Sequence, residues 1–172
     1  YGTVFFQPRL EKKVGDQSTP QIATNALIGM HILLTVDGEI SKKIEVQNFA
    51  IAKEQGISDE GINFEALFKN SGNVHVAPKG RIEIYDEKGA KLTNIGTLQQ
   101  KDKTGTIFNQ VSVDFIPFNQ QESKALPNQL RKINDVWKFN KDTQLSGEYT
   151  AKYVMDAGND VKDLTPHEIK FN

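Results

Sequence analysis

The sequence has no cysteine among its 172 residues. This absence excludes disulfide frameworks, thiolate metal sites and cysteine nucleophiles. Tryptophan is nearly absent as well, with a single residue at Trp137. Long apolar runs are also missing. The longest, Ala26–Val36, is about half the length that a membrane-spanning helix requires, so it is predicted to be a core strand.

The sequence also lacks an excess of positive or negative charge. Lys and Arg number 21 against 22 Asp and Glu, for a formal net charge of −1. Nucleic-acid binding requires a clear basic excess, so this balance argues against nucleic acid as a partner. The opening segment, Tyr1–Phe6, has neither a basic start nor a Met. This opening indicates a segment cut from a longer protein rather than a signal peptide.

Most of the chain alternates apolar and polar residues, which is typical of strands with one buried face. The alternating segments are Ile62–Ala66, Arg81–Tyr85, Val111–Phe115 and Tyr149–Met155. In Arg81–Tyr85 we expect Ile82 and Ile84 to face inward. Turn residues separate these runs and no long helix is indicated. The sequence therefore predicts an all-β fold, an antiparallel β-sandwich of eight to ten strands.

Sequence motifs of catalysis are absent. The chain has no Gly-x-Ser-x-Gly, Gly-x-Gly-x-x-Gly or phosphate-binding loop, and its carboxylates fall mainly at outward strand positions. The histidines, His31, His75 and His167, are far apart and none has a second ligand at metal-site spacing. We expect no catalytic residue, no metal site and no cofactor, and hence not an enzyme.

Weaker signals concern calcium, a covalent cross-link and sugar binding. Asp156–Asp160 is oxygen-rich, but a plain loop is the favoured interpretation. Lys69 and Lys152 are conceivable donors for a Lys–Asn isopeptide bond, although no spacing singles out a partner. Trp137 is a candidate ligand-facing aromatic that could stack on a sugar, with Tyr85 and Phe118 as further candidates. A core position is the favoured interpretation for Trp137.

Two stretches carry the strongest structural motifs. The first, Phe68–Gly89, is predicted as strands separated by turns, in which two asparagines cap turn backbone, two glycines adopt special φ and a proline blocks a strand edge. The second, Leu145–Tyr153, contains a Gly-x-Tyr that indicates the tyrosine corner of immunoglobulin-like (Ig-like) sandwiches. The motif residues are Asn70, Gly72, Asn73, His75, Pro78, Gly80, Gly147 and Tyr149.

These motifs resemble a known group. The run from Asn70 to Gly80, the segment Ala125–Asn128 followed by Arg131, and Gly147–Ala151 are similar to Ig-like ectodomains of prokaryotic cell-surface proteins related to the WxL-interacting proteins. The resemblance implies an Ig-like sandwich over residues 39–172, and over 1–38 the terminal strands of a preceding, incomplete Ig-like domain. It also implies an extracellular, cell-surface location and a parent protein anchored in the membrane.

The region around Asp37–Gly38 supports two different predictions. Asp-Gly is a strong hairpin signal, which pairs Met30–Val36 with Glu39–Glu45. The resemblance instead makes the same region a linker between domains. In that case the strands of residues 1–38 pair with each other, with another chain or with an edge of the second domain.

Three functions remain open at this stage. The leading hypothesis is a non-catalytic adhesion or scaffolding module that binds a cell-wall polymer or another surface protein, and it rests partly on analogy. The second is a structural subunit of a surface fibre or pilus, which self-assembles through edge strands such as Gly2–Gln7. The third is a carbohydrate-binding module.

Overall fold

The structure is a computed structural model that describes residues 2–6, 28–32, 38–53, 56–58, 61–139, 146–156 and 161–172. The chain divides into two units, Tyr1–Glu39 and Ile40–Asn172. The sequence prediction placed the division between residues 38 and 39. Each unit is described by itself below.

The described part of the first unit contains an antiparallel pair of strands. Strand β1 (Gly2–Phe6) pairs with β2 (Ile28–Ile32), and Gly2 lies opposite Ile32. The hairpin predicted at Asp37–Gly38 is therefore wrong for the described residues, because Met30 to Ile32 pair with β1 and residues 39–43 are not in a strand. The exposed apolar side chains of this pair are Val4, Phe5, Phe6, Ile28, Met30 and Ile32.

The second unit is all-β, and every strand pair in it is antiparallel. The described strands are β3 (Ile44–Ile51), β4 (Ile57–Ser58), β5 (Gly61–Asn70), β6 (Gly80–Tyr85), β7 (Gly96–Lys101), β8 (Ile107–Val113), β9 (Ile116–Phe118), β10 (Gln129–Lys138), β11 (Tyr149–Asp156) and β12 (Lys162–Phe171). No helix occurs among the described residues, and so none has the length and hydropathy needed to cross a membrane.

These strands form two four-stranded sheets and one separate hairpin. Sheet 1 has the order β10–β5–β3, with β4 also paired to β5, and sheet 2 has the order β12–β11–β6–β9. Strands β7 and β8 pair only with each other among the described strands. Both sheets contribute side chains to one hydrophobic cluster, which gives the unit a sandwich-like arrangement.

Aromatic rings from both sheets meet at Tyr153, which is fully buried on β11. Its ring centroid lies 5.3 Å from that of Phe49, 6.1 Å from that of Phe68 and 5.1 Å from that of Phe118. Phe49 and Phe68 belong to sheet 1, and Phe118 belongs to sheet 2. Aromatic pairs at such distances add about 0.5–1.5 kcal/mol each beyond their buried area. Tyr153 therefore joins the two sheets.

The predicted alternation is confirmed in β6, where Ile82 and Ile84 have no exposed surface. It is wrong for Val111–Phe115. Val111 is 38% exposed on β8, and this hairpin strand lies outside the core cluster. Periodicity shows which residues share a face, but it does not show whether another sheet covers that face.

The two sides of the sandwich differ. On one side, β12 lies against β3. On the other side, β9 and β10 are the outer strands of their sheets, and the β7–β8 hairpin lies beside β9. The hairpin belongs to the long connection between β6 and β9. It therefore creates a recess next to the outer edge of β10.

The two glycines of the first motif serve close packing and not an unusual backbone angle. Neither Gly72 nor Gly80 has a positive φ, so that prediction is wrong. A Cβ on Gly80 would lie 2.5 Å from Cε2 of Tyr153, and one on Gly72 would lie 2.3 Å from the carbonyl oxygen of Ser41. Glycine is required at both positions because other segments of the same chain occupy the space that a side chain would need.

Gly80→Ala is expected to lower the free energy of unfolding by about 1–3 kcal/mol, because the new methyl group overpacks the space around Tyr153. Gly38→Ala is the matched control, since a Cβ at Gly38 meets no atom within 4 Å. The control is expected to change stability by less than about 0.5 kcal/mol. Urea unfolding of both variants tests this, and equal midpoints would contradict it.

Candidate functional site

A recess of about 400 Å³ lies between the β7–β8 hairpin and the outer edge of β10. We name it the β7–β10 cleft. Its volume falls in the range of small ligand sites, about 300–1,000 Å³. Its lining is mainly neutral and polar, with one carboxyl group and one amine. The lining residues are Asn94, Ile95, Gly96, Thr97, Gln99, Ser112, Ile116, Pro117, Gln120, Asp135, Val136, Trp137 and Lys138.

One wall of the cleft is the outer edge of β7, and the side chain of Gln120 covers its hydrogen-bonding groups. The backbone N–H of Gln99 donates to Oε1 of Gln120 at 2.9 Å. Nε2 of Gln120 donates to the carbonyl oxygen of Thr97 at 3.0 Å. A single side-chain amide therefore takes the place that a peptide group of a neighbouring strand would occupy.

The opposite wall is β10, where Asp135 faces the interior between Ile133 and Trp137. Its Oδ2 accepts a hydrogen bond of 2.9 Å from the backbone N–H of Asn119. Burial raises the pKa of Asp135, and hydrogen bonds from the backbone of Asn119 and Val136 offset only part of that rise. The carboxylate of Asp135 thus links β10 to Asn119, the residue that follows β9.

Trp137 is part of the core at the base of the cleft, with 4% of its surface exposed. Its Nε1 donates to the carbonyl oxygen of Ile95 at 2.9 Å, and its ring lies edge-on to Phe139. Phe118 is 1% exposed, and the amine of Lys152 lies 5.1 Å from the ring centroid of Tyr85. Trp137 and Phe118 are thus closed to a sugar ring, and the amine of Lys152 lies over one face of Tyr85.

The asparagines of the first motif fix the loop after β5. Asn70 has no exposed surface, and its Nδ2 donates to the carbonyl oxygens of Val74 at 2.8 Å and Ala125 at 2.9 Å. Its Oδ1 accepts from the N–H of Gly72 at 2.9 Å. Asn73 is exposed, and its Oδ1 accepts from the N–H of Ser41 at 2.8 Å. Both asparagines cap backbone groups, as predicted.

The remaining motif residues are also structural. His75 is half-buried in the connection between β5 and β6, not on a strand. Pro78 is fully buried, and its carbonyl oxygen accepts a 3.1 Å hydrogen bond from Asn119. Gly147 has a φ of 103°, a left-handed backbone conformation that favours glycine. The hydroxyl group of Tyr149 lies 3.4 Å from both the backbone N and the carbonyl oxygen of Ser146.

Replacing Asn70 with Ala is expected to lower the free energy of unfolding by about 2–4 kcal/mol, because it leaves buried backbone groups without partners. Asn73→Ala removes the exposed hydrogen bond to the N–H of Ser41 and is expected to cost about 1 kcal/mol or less. Chemical unfolding of the two variants, side by side, measures the difference. A similar loss in both would show that burial of Asn70 does not matter.

A cluster of charges lies on the outer face of sheet 2, away from the cleft lining. Glu83 accepts hydrogen bonds from Arg81 at 3.2 Å, from Tyr85 at 2.8 Å and from Lys91 at 2.9 Å. Partial burial by itself raises the pKa of Glu83, but the three donors outweigh it and lower the pKa from 4.5 to about 2. The cluster is fully paired, so we assign it a structural role.

The low pKa of Glu83 predicts a loss of stability in acid. The folded state stabilises the carboxylate, so the contribution is complete above pH 4.5 and disappears as the pH falls towards about 2. After solvent screening it is worth about 1–2 kcal/mol. Glu83→Gln is expected to remove this part of the pH dependence in urea titrations. Glu87→Gln, at an exposed position, is the control. The assignment would be refuted if the free energy of unfolding of Glu83→Gln fell in acid as much as that of the wild type.

Metal binding finds no support in the described part of the chain. There, no group of three or more His, Asp or Glu side chains is arranged to hold an ion. The calcium candidate Asp156–Asp160 lies outside the described residues except for Asp156. Of the isopeptide candidates, Lys152 forms an ion pair of 2.8 Å with Glu168, and Lys69 is exposed on β5.

Sequence reasoning missed the residues that form the cleft walls. Asp135 left a signal, because a carboxylate between Ile133 and Trp137 occupies an inward position of an alternating strand. Gln120 left none, since the sequence identifies it only as part of a polar loop.

No protein-family model, no curated protein and no solved structure matches the chain. The family resemblance therefore stays a prediction that rests on the quoted motifs.

Proposed function

We propose that residues 39–172 are an Ig-like module that binds a partner without catalysis. The strand order supports the fold part of this proposal. If β3, β5 and β10 are strands A, B and E, sheet 1 has the order E–B–A. Sheet 2 then has the order G–F–C–C′, formed by β12, β11, β6 and β9. Ig-like sandwiches divide their strands between two sheets in this manner.

Tyr149 supports the same assignment. It opens β11, which is strand F in this scheme, and its phenol contacts the backbone of Ser146 three residues upstream. A tyrosine corner has the same position and the same contact. The family resemblance carries the location: an extracellular module at a cell surface, in a parent protein anchored to the membrane. Its partner is a cell-wall polymer or another surface protein.

The β7–β10 cleft is the single observation that carries the binding function. Its walls come from elements fixed to the sandwich, and its lining offers hydrogen-bond donors and acceptors without an array of catalytic groups. A rigid scaffold that presents polar groups in a recess is typical of binding sites. We infer that adhesion or scaffolding takes place there.

Ser112→Arg is expected to weaken partner binding by about tenfold or more, because the long side chain fills the cleft. Gln110→Arg is the matched control. Gln110 lies two residues away on β8, on the same strand face, but does not line the cleft. Binding is measured by co-sedimentation with isolated prokaryotic cell walls and by overlay on extracted surface proteins. Binding to neither material, or equal behaviour of both variants, would overturn the proposal.

A fibre subunit is the second candidate, and the β1–β2 pair favours it. Phe5 is 61% exposed and Ile28 is 63% exposed in a two-stranded pair. Such pairs are seldom stable alone, so a neighbouring chain is a natural cover for these side chains. Light scattering during size-exclusion chromatography decides between the candidates, because a monomer at every concentration argues against a fibre.

A further inference from the structure

We infer that the β7–β10 cleft receives an extended, uncharged peptide segment of a partner protein, which adds as a strand to the outer edge of β7 in place of the Gln120 amide. The inference rests on the proposed function and names the chemistry of the partner. Four observations support it: the state of the β7 edge, the state of the β10 edge, the chemistry of the lining and the length of the wall.

The β7 edge is set up for strand pairing. Thr97 and Gln99 lie opposite Ser112 and Gln110 of β8, yet their carbonyl and N–H groups bond to Gln120 on the other side. They are two residues apart, which is the spacing at which a strand presents groups to one neighbour. An arriving peptide that displaces one flexible side chain finds both groups already aligned.

The outer edge of β10 forms the second wall of the cleft. Among the described strands β10 pairs only with β5, and the described residues show no backbone hydrogen bond between β7 and β10. Asp135 on this strand accepts a hydrogen bond of 2.9 Å from the backbone N–H of Asn119. The cleft therefore lies between a β7 edge that the Gln120 side chain covers and a β10 edge to which no described strand pairs. Covering an edge in this way is a common means by which proteins protect strands from unwanted pairing.

The lining favours a peptide over other ligands. Sugar binding typically uses an exposed ring, and Trp137 and Phe118 are 4% and 1% exposed. A nucleic acid would require several cations, whereas Lys138 is the only one among the lining residues. Asp135 and Lys138 balance each other, so an uncharged segment fits best. A Thr or Ser side chain near Asp135 would supply a hydrogen-bond donor.

The length of the wall sets the length of the ligand. The cleft-lining part of β7 runs from Gly96 to Gln99, about 10 Å at the rise of an extended strand. A segment of three to five residues therefore covers it. Main-chain hydrogen bonds provide the affinity in this mode of recognition, and alternate side chains provide the specificity.

The test uses the full chain and a library of random dodecapeptides displayed on phage. Peptides enriched on the wild-type chain are synthesised, and their affinities are measured by calorimetry. Gln99→Pro is expected to weaken binding by about tenfold, because it removes the edge N–H and with it one main-chain hydrogen bond to the peptide. Gln120→Ala is expected to tighten binding about threefold or more, since no side chain then competes for the edge.

Gln110→Pro is the matched control. The N–H of Gln110 donates to the side chain of Asn109, so this proline also removes a donor outside the ladder, but on β8 and away from the cleft. Its affinity is expected to stay within about twofold of the wild type. If Gln99→Pro does not fold, the same peptide with N-methylated backbone tests the edge from the ligand side and is expected to lose binding.

Several outcomes would overturn the inference. The first is that no peptide is enriched on the wild-type chain over the Gln99→Pro chain, and the second is that both proline variants bind the peptide with equal affinity. The third is that oligosaccharides bind in the cleft in place of peptides. The fourth is self-association that Gln99→Pro abolishes, because the occupant would then be a second copy of this chain. If Ser112→Arg abolishes cell-wall binding and Gln99→Pro does not, the proposed function stands and the peptide inference fails. If Ser112→Arg has no effect, the proposed function itself fails.

Discussion

The packing of Tyr153 against three phenylalanine rings holds the second unit together. Phe49 and Phe68 approach it from sheet 1 and Phe118 from its own sheet, with centroid distances of 5.1–6.1 Å. Replacing a buried ring of this size with Ala typically costs about 3–5 kcal/mol. The absence of a side chain at Gly80 allows β6 to pass beside the same ring. The bulk of the Tyr153 ring and the missing side chain of Gly80 are therefore complementary.

This central contact leaves the sandwich asymmetric at its sides. On one side β3 and β12, the outer strands of their sheets, lie against each other. On the other side, the short β9 and the long β10 are not paired with each other among the described strands. The β7–β8 hairpin lies beside β9, and the space that remains is the cleft. The candidate site thus follows from the sheet arrangement rather than from a special motif.

The sequence was informative where one face of a strand is buried by a second sheet. Alternation in β5, β6 and β11 predicted which side chains enter the core, and Asn70 and Asn73 were recognised as caps. It failed for β8, because an inserted hairpin alternates without a covering sheet. It also gave the wrong reason for Gly72 and Gly80, since a close approach between distant segments leaves no local trace. The same limit explains why Gln120 was missed, because its hydrogen-bond partner Gln99 on β7 lies 21 positions earlier in the chain.

Asn70 and Asn119 lie in two of the three stretches where the chain passes from one sheet to the other. Asn70 bonds to the carbonyl oxygen of Ala125, and Asn119 bonds to that of Pro78, so each passage is fastened to the other. A backbone bridge between Val76 and Ala125 completes the fastening. If one of these two stretches loosens, polar groups of the other lose their hydrogen-bond partners within the apolar interior. The layers are consequently expected to separate all at once, with no half-open form persisting long enough to be trapped.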